Sequence, residues 1–308
     1  MKRIKSLGVI AMKWNNKKIT INNYLQVFND YSKDIKEVIR SAILDDTSIE
    51  PYINKCKNNP YLLWQIKMSI DEGLDSSWYD IINSGEILLL LRSLNKKFIN
   101  IKPLKSYFSK GLSENHCKYI IKWYGEGYAL SKYNFNILPD SLLECFDYGL
   151  SLGYPMYIFN NGVLFTKEYI MCCLKILSNG YSINKFLNGD WDIENLELLS
   201  KFSKSRYYNK LIGFVSKSIT PSVLEELYEC CKVGMPLDDI SAIDGYTYVY
   251  SAIHISKIRE AYLSNLDYKS MLDTNLSIAD LNSMLDEMKY FASKKVSGRL
   301  RKNYIKTY

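Results

Sequence analysis

The sequence predicts an all-α fold, an α-solenoid-like array of helix–turn–short-helix repeats, each about 27 residues long. Glycines at the ends of helix-like apolar stretches recur at separations of 54, 26, 27 and 54 residues. Apolar residues stand at fixed offsets before these glycines, and a mostly aromatic column follows them. One such unit cannot bury its apolar face alone, whereas stacked neighbours can. The anchor glycines are Gly73, Gly127, Gly153, Gly180 and Gly234.

Two apolar columns before the anchors predict one buried helix face. Residues seven and three positions before an anchor are four apart, so they share a face of an α-helix. Asp46 extends the series 27 residues before Gly73, because aspartate tolerates a left-handed backbone less easily than glycine but more easily than most residues. Anchors are missing near residues 100 and 207, and Asn265 is expected to replace the last glycine. The columns are Ile39, Ile66, Ile120, Phe146, Cys173 and Leu227 seven before; Ile43, Ile70, Tyr124, Leu150, Leu177 and Cys231 three before; and Tyr52, Tyr79, Tyr133, Phe159, Phe186 and Ile240 six after.

Local signals place a helix start and a helix end in each unit. Short polar side chains at the starts can accept hydrogen bonds from free backbone N–H groups. Each glycine stands where the chain leaves the helix, a position that favours positive φ. The apolar segment that follows, such as YPMYIF at 154–159, is expected to form a second helical turn whose aromatic residue packs back. The expected caps are Ser113, Asp140, Thr166, Thr220 and Ser277.

These spacings predict three segments along the chain. They are a basic N-terminal segment (1–31), a helical repeat array (32–275), and a capping helix with a basic C-terminal tail (276–308). The capping helix is expected at about 277–292. Residues 8–23 have apolar flanks around two asparagines and predict a small β-hairpin, with a frayed helix as the alternative. The units are expected at 32–58, 59–83, 84–110, 111–137, 138–164, 165–191, 192–218, 219–246 and 247–275, with 84–110, 192–218 and 247–275 degenerate.

The pattern I-x-x-x-I-x-x-G-L-D-x-x-x-Y at 66–79 resembles short helical repeats of uncharacterised proteins from low-GC Gram-positive bacteria and their phages. Those repeats often have the form G-L-x-x-G-L-D-V-x-x-Y. The segments at 112–133 and 138–159 keep the shape but not every letter. The resemblance covers roughly half of the chain, implies a repeat scaffold, and supplies no catalytic residue.

Composition predicts an intracellular, cytoplasmic protein, in the host cytoplasm if it is borne by a phage. The chain has 308 residues, 47% hydrophobic and 24% charged, the balance of a soluble globular protein. No apolar run approaches the ~20 residues that span a bilayer. The basic start is followed by only a short apolar stretch and then by lysines, and it has no cleavage site of a signal peptide. Seven cysteines, with two vicinal pairs and no C-x-x-C, indicate free thiols in a reducing compartment and no zinc site.

Candidate catalytic groups are few, and the sequence predicts no enzyme, no metal site and no cofactor. His116 and His254 are the only histidines. Both are expected to be structural, because a nucleophile and its base must face each other, whereas adjacent helix residues such as His116 and Cys117 point apart. The acidic segment GDWDIEN at 189–195 lacks the spacing of a calcium loop and indicates solvated turn acids. Phosphate-binding loops, dinucleotide motifs and nucleophile elbows are absent from the sequence.

Positive charge is concentrated at the two ends of the chain. Residues 1–18 and 292–308 hold six basic residues each and no acid. The middle holds 28 basic and 33 acidic residues, so it is mildly acidic. Cations interleaved with tyrosines suit phosphate contact and base stacking, and equally a solvated tail or docking on an acidic protein. The candidate binding residues are Lys294, Lys295, Arg299, Arg301, Lys302, Tyr304 and Lys306.

The sequence therefore favours a non-enzymatic protein-binding scaffold, because repeat arrays expose long surfaces for partner recognition. One concrete form is a phage or mobile-element inhibitor of a host protein, such as a component of an antiviral defence system. The alternative is a nucleic-acid-binding protein that uses the basic termini, which the acidic middle of the chain disfavours. No membrane partner is expected. Trp78, Trp123 and Trp191 are either exposed anchors of an interface or packed between units.

Overall fold

The computed structural model of the chain describes residues 25–108, 112–241, 243–244, 247–273 and 275–304; for 243–244, 247 and 295–304 it describes the backbone. These residues are all-α apart from two short strands. Strands β1 (Ile243–Asp244) and β2 (Thr247–Tyr248) pair antiparallel, with Ile243 opposite Tyr248. None of the described helices combines the length and the apolar character that a membrane span requires. The hairpin predicted at 8–23 lies outside the described residues.

Each predicted unit contains one long helix in the described part of the chain. The helices begin within a few residues of the predicted unit starts, including in the three degenerate units. A tenth and longer helix follows the last unit. The long helices are α1 (Lys33–Leu44), α2 (Pro60–Asp71), α3 (Gly85–Lys96), α4 (Glu114–Gly125), α5 (Leu143–Ser151), α6 (Lys167–Ser178), α7 (Ile193–Phe202), α8 (Pro221–Lys232), α9 (Ala252–Leu263) and α10 (Ile278–Tyr304).

Short helical elements separate most of the long helices, whereas strands β1 and β2 lie between α8 and α9. Of the predicted residues six positions after the anchors, Tyr79, Phe159, Phe186 and Ile240 are buried. The hydroxyl of Tyr79 donates a hydrogen bond to the carbonyl of Leu74 at 2.8 Å, which closes the turn after α2. The short elements are Gln26–Phe28, Glu50–Ile53, Ser77–Ile81, Lys102–Tyr107, Leu130–Lys132, Asp140–Leu142, Met156–Phe159, Asn184–Phe186, Tyr208–Ile212 and Tyr268–Met271.

Side-chain caps open most of the long helices. The hydroxyls of Ser113, Thr166 and Thr220 accept hydrogen bonds from the backbone N–H three residues later, as predicted. The Ser277 hydroxyl does the same at the start of α10, at 3.1 Å. The predicted cap at Asp140 is wrong, because Asp140 is the first residue of a three-residue 3₁₀ turn that precedes α5 and makes no side-chain cap. Its carboxylate instead accepts a hydrogen bond from the Ser113 hydroxyl at 2.8 Å.

Eight of the nine unit helices end in the same left-handed turn. In each turn, one residue has φ between 52° and 85°. Its N–H donates to the carbonyl three positions back, and the next N–H donates to the carbonyl five positions back, which satisfies the free carbonyls of the helix end. All five anchor glycines, Asp46 and Asn265 adopt this conformation, as predicted. Phe98 supplies the anchor that the sequence left empty near residue 100, and α7 alone ends without a residue of positive φ.

The buried stripe of the helices differs by one position from the predicted one. All six predicted residues seven before an anchor are buried. Three positions before, however, Ile43, Ile70, Tyr124 and Leu177 are only half-buried. The residues four positions before, such as Trp123 and Ile176, are buried in their place. Positions eleven, seven and four before the anchor form the 3–4-spaced stripe that faces the core, and position three lies at its edge.

The chain divides into two bodies, Met1–Asp147 and Tyr148–Tyr308. In the first body, α1 packs on α2, α2 on α3, and α3 on α4. In the second body, α6 packs on α7, α7 on α8, α8 on α9, and α9 on α10. The three segments predicted from the sequence, with boundaries at 31 and 275, stay a prediction.

Candidate functional site

Helix α10 carries most of the predicted basic site. It begins where the capping helix was predicted and continues to Tyr304, twelve residues beyond the predicted end. Lys294 is exposed and places its Nζ 4.5 Å from the centre of the Tyr290 ring. Lys295, Arg299, Arg301, Lys302 and Tyr304 belong to the same helix backbone, and Lys306 lies outside the described residues.

The described side chains of α10 that pack against the body lie in the first half of the helix. Leu281 and Leu285 are buried, and Lys289 forms an ion pair with Glu260 near the end of α9 at 2.6 Å. Helix α9 has 12 residues and α10 has 27, or about 18 and 40 Å at 1.5 Å per residue. Tyr290 and Phe291, beyond this ion pair, are both exposed. The predicted basic residues therefore follow an exposed aromatic pair on one helix.

The two histidines have the same structural role in different units. His116 and His254 each occupy the third position after a capping serine. Their Nδ1 atoms lie 3.0 and 2.6 Å from the hydroxyls of Ser113 and Ser251. Their Nε2 atoms lie 2.6 and 3.0 Å from a backbone carbonyl oxygen 22 residues further along the chain. Each histidine thus links a helix start to the chain that leads into the next unit.

The cysteine thiols and the acids of the GDWDIEN segment are the remaining candidate groups for chemistry in the described residues. Burial raises the pKa of the Cys56 and Cys117 thiols to about 11 and that of Cys230 to about 12. All seven cysteines are free. In the GDWDIEN segment, Asp190 pairs with Lys217 at 2.6 Å and Asp192 caps α7. The described part of the chain holds no group of three or more His, Cys, Asp or Glu side chains that could bind a metal.

An exposed apolar surface lies on α2 and α3, and we call it the aromatic patch. It consists of Tyr61, Trp64, Met68 and Leu89. The exposed fractions of Tyr61, Trp64 and Leu89 are 46%, 39% and 42%, and Met68 is half-buried. Large apolar side chains that stay exposed on two neighbouring helices are typical of interaction sites.

Close packing of α2 on α3 assembles the aromatic patch. The Tyr61 ring lies over Gly85, where an added Cβ would be 2.6 Å from the ring. Further along the same helices, Arg92 donates hydrogen bonds to Gln65 at 2.6 Å and to Glu72 at 2.8 Å. Leu89 lies between Gly85 and Arg92 on α3, so it lies beside the middle of α2.

Polar contacts beneath Trp64 hold α2 in place. The buried ammonium of Lys67 pairs with Asp45 at 2.6 Å and with Asp71 at 2.7 Å, and it lies 5.8 Å from the centre of the Trp64 ring. Burial opposes the charged form of Lys67, but the hydrogen bonds to both carboxylates outweigh it and raise the pKa of Lys67. The ammonium therefore stays charged and joins the end of α1 to α2.

The aromatic patch was missed by sequence reasoning, which considered other tryptophans. Trp78, Trp123 and Trp191 are buried, so none of them is an exposed anchor of an interface. Trp64 stands nine residues before Gly73, outside the positions that the repeat buries. That position in the repeat is the signal that could have singled it out. Comparisons of the chain with family models, with curated proteins and with solved structures give no match.

Proposed function

We propose that the chain is a non-enzymatic protein-binding repeat scaffold and that the aromatic patch contacts the partner. The observation that carries this proposal is the exposure of Tyr61, Trp64 and Leu89, whereas the other three described tryptophans are buried. Aromatic side chains dominate the energetic centres of protein interfaces. A surface of this composition suits a protein partner better than a polyanion, because it offers apolar area and no unpaired cation.

The proposed scaffold stacks its units as an α-solenoid-like array within each body. Hydrogen bonds between units support this, because they join residues about one period apart. Their separations are 24 to 28 residues in five examples: Lys55 to the Tyr79 carbonyl, Lys210 to the Met235 carbonyl, Arg92 to Gln65, Lys185 to the Ile212 carbonyl, and Tyr262 to the Gly234 carbonyl. Such contacts leave the outer helix faces free for a partner.

A bacterial host protein is the first partner to test. The resemblance of 66–79 to repeats of low-GC Gram-positive bacteria and their phages supports this choice, including a component of an antiviral defence system. The proposed activity is then inhibition by binding, with no catalytic group.

A nucleic-acid-binding protein is the second candidate, and one observation favours it. The exposed pair Tyr290 and Phe291 precedes Lys294 and the basic positions of α10. Aromatic stacking with neighbouring cations is the means by which proteins bind single strands. Phosphate contacts would make this binding steeply dependent on salt.

The experiment that separates the two candidates is capture of partners from a lysate of a low-GC Gram-positive host. The tagged full chain is washed at low and at moderately high salt, with and without nuclease treatment. Two double variants accompany it: Tyr61→Ser with Trp64→Ser, and Tyr290→Ser with Phe291→Ser. The second is a matched control, since it removes a similar exposed aromatic pair.

The proposed function predicts a defined protein that survives salt and nuclease. The captured protein should survive the salt wash because the apolar centre of an interface is insensitive to salt. The patch variant is expected to capture at least tenfold less of it, whereas the α10 variant should capture as much as the natural chain. The purified partner must then bind the natural chain and the α10 variant with similar affinity and the patch variant more weakly. Nucleic acid that is lost with salt and with the α10 variant would instead establish the second candidate.

A further inference from the structure

A groove with a cavity of about 530 Å³ lies between α6 and α7 in the second body. Four lysines and two glutamates line it: Lys167, Lys175, Lys201, Lys204, Glu168 and Glu197. We call it the lysine groove. Its volume falls in the range of ligand-binding clefts, about 300–1,000 Å³.

The charges of the lysine groove are separated along its length. The side chain of Asn179, which follows α6, donates a hydrogen bond to Ser203, which follows α7, at 2.8 Å. The two helices therefore end side by side. Lys175 and Lys201 belong to the last turns of their helices, and Lys204 follows α7. Glu168 lies in the first turn of α6, and Glu197 one turn before Lys201. One end of the groove is thus cationic and the other end mixed.

The three lysines at the cationic end have no anionic partner. Among the described residues, Lys175, Lys201 and Lys204 form no ion pair. Other lysines of the same body do: Lys217 pairs with Asp190, Lys232 with Glu229, and Lys257 with Glu260. The helix dipole favours lysines near helix C-termini, which explains their position but supplies no counter-charge in the groove. An anionic ligand would supply it.

We propose that the lysine groove binds an acidic peptide segment of a protein partner, an inference that rests on the protein-binding function proposed above. Carboxylates of the segment lie over Lys175, Lys201 and Lys204. An apolar side chain packs on Met171, which lines the groove between its two ends. The other end of the segment is neutral or basic, because it lies beside Glu168.

The lining of the groove favours a peptide over a nucleic acid. None of the residues that line it is aromatic, so bases would find no stacking surface. A strand with one negative charge per nucleotide that ran through the groove would also pass Glu168 and Glu197. A peptide avoids this repulsion, since its acids can be confined to the cationic end.

The test measures binding of fluorescein-labelled decapeptides to the full chain by fluorescence polarisation. Each probe has four glutamates at one end, two leucines in the centre and a neutral other end, in both sequence orders. A second pair carries glutamine in place of glutamate, and a ten-nucleotide oligo-dT is the third probe. The variant Lys175→Gln/Lys201→Gln/Lys204→Gln removes the cationic end. The matched variant Lys33→Gln/Lys97→Gln/Lys269→Gln removes the same charge from exposed lysines elsewhere.

We expect one acidic peptide to bind the natural chain and to bind the groove variant at least tenfold more weakly. The matched variant should bind it as the natural chain does, and the glutamine peptide should not bind. The methyl carbon resonance of Met171, assigned with Met171→Leu, should shift on addition of the acidic peptide to the natural chain. Circular dichroism of both variants is the check that they remain folded.

Three results would overturn the proposal. They are no binding of either acidic peptide at millimolar concentration, equal affinity of the natural chain and the groove variant, or tighter binding of oligo-dT that the groove variant loses. The outcome is separable from that for the aromatic patch, because Tyr61→Ser with Trp64→Ser leaves the groove intact. If Tyr61→Ser with Trp64→Ser abolishes capture of the protein and the groove variant does not, the protein-binding function stands and the lysine groove has no part in it.

Discussion

Among the residues that the structure describes, three other than glycine adopt a left-handed backbone at the ends of long helices: Asp46, Phe98 and Asn265. Aspartate and asparagine are tolerated there, so the sequence could predict two of the three from their spacing. Phenylalanine carries no such signal. Its place was left empty at the sequence level because φ of 59° runs against its own preference; the hydrogen bonds from the N–H groups of Phe98 and Ile99 to the carbonyls of Asn95 and Leu94 close the turn.

Replacement of Phe98 by glycine is expected to stabilise the protein by about 0.5–1 kcal/mol. The left-handed conformation costs a residue with a Cβ roughly 1–2 kcal/mol, whereas glycine loses about 0.5–1 kcal/mol of additional backbone entropy. The Phe98 side chain is 99% exposed, so its removal sacrifices no packing. The urea midpoint of Phe98→Gly should therefore rise relative to the natural chain.

Gly153→Ala is the converse control. Its φ is 82°, and an added Cβ would have no heavy atom within 4 Å, so only backbone strain is introduced. The variant should lose about 1 kcal/mol. A lower midpoint for Phe98→Gly, or no change for Gly153→Ala, would contradict the account of these helix ends.

The thiols provide a second test at the residue scale. Because burial raises the pKa of Cys56 and Cys117 to about 11, only about one thiol in a thousand is ionised at pH 8. We expect iodoacetamide to modify the native chain at least 100-fold more slowly than the guanidinium-unfolded chain. Ser76→Cys, at an exposed position, should gain one fast-reacting thiol. Rapid alkylation of the natural chain in its folded state would disprove this.

At the scale of elements, one ion pair joins the ends of α2 and α3. Glu72 accepts hydrogen bonds from the buried Arg92 guanidinium, which also contacts Gln65. The hydrogen bond from Arg92 holds the pKa of Glu72 below its ordinary value of 4.5, against the opposing effect of burial. A carboxyl group with a lowered pKa stabilises the fold above its unfolded pKa, and this stabilisation is lost as pH falls through the folded pKa.

Glu72→Gln is therefore expected to cost roughly 2 kcal/mol at pH 7, because it leaves the Arg92 charge without its partner. The difference from the natural chain should begin to shrink as pH falls below about 4.5, the ordinary pKa of the unfolded carboxyl, and should be lost as pH falls through the lower pKa of Glu72 in the folded chain. Unfolding by urea at a series of pH values measures it. Glu287→Gln on the exposed face of α10 is the control and should change nothing. A pH-independent difference would contradict the role of this pair.

Element positions were predictable from the sequence, whereas the candidate site was not. Periodic anchors and caps are local signals, so all nine unit helices could be placed. Exposure depends on which neighbour covers a side chain, and that is a tertiary property. The sequence therefore favoured the basic end of the chain and did not single out Trp64 or the lysine groove. The continuation of α10 beyond residue 292 was also missed, because basic residues at a terminus were interpreted as a solvated tail.

At the scale of the whole molecule, each unit is expected to be a module held mainly by the units next to it. Long helices contact their sequence neighbours within each body, and hydrogen bonds between units span about one period. Stability should then be local: damage to one unit should spread to adjacent units and fade with distance along the chain. A single cooperative core would instead transmit damage everywhere.

Hydrogen exchange measured by mass spectrometry on Ile66→Ala tests this central claim most directly. Ile66 is fully buried on α2, and its truncation should cost about 3 kcal/mol. We expect faster exchange in α2, then in α1 and α3, with exchange in α8 and α9 unchanged. Leu227→Ala in α8 is the matched variant. It should speed exchange in α8, then in α7 and α9, and leave exchange in α1 and α2 unchanged. Equal acceleration in every helix for both variants would contradict the repeat architecture.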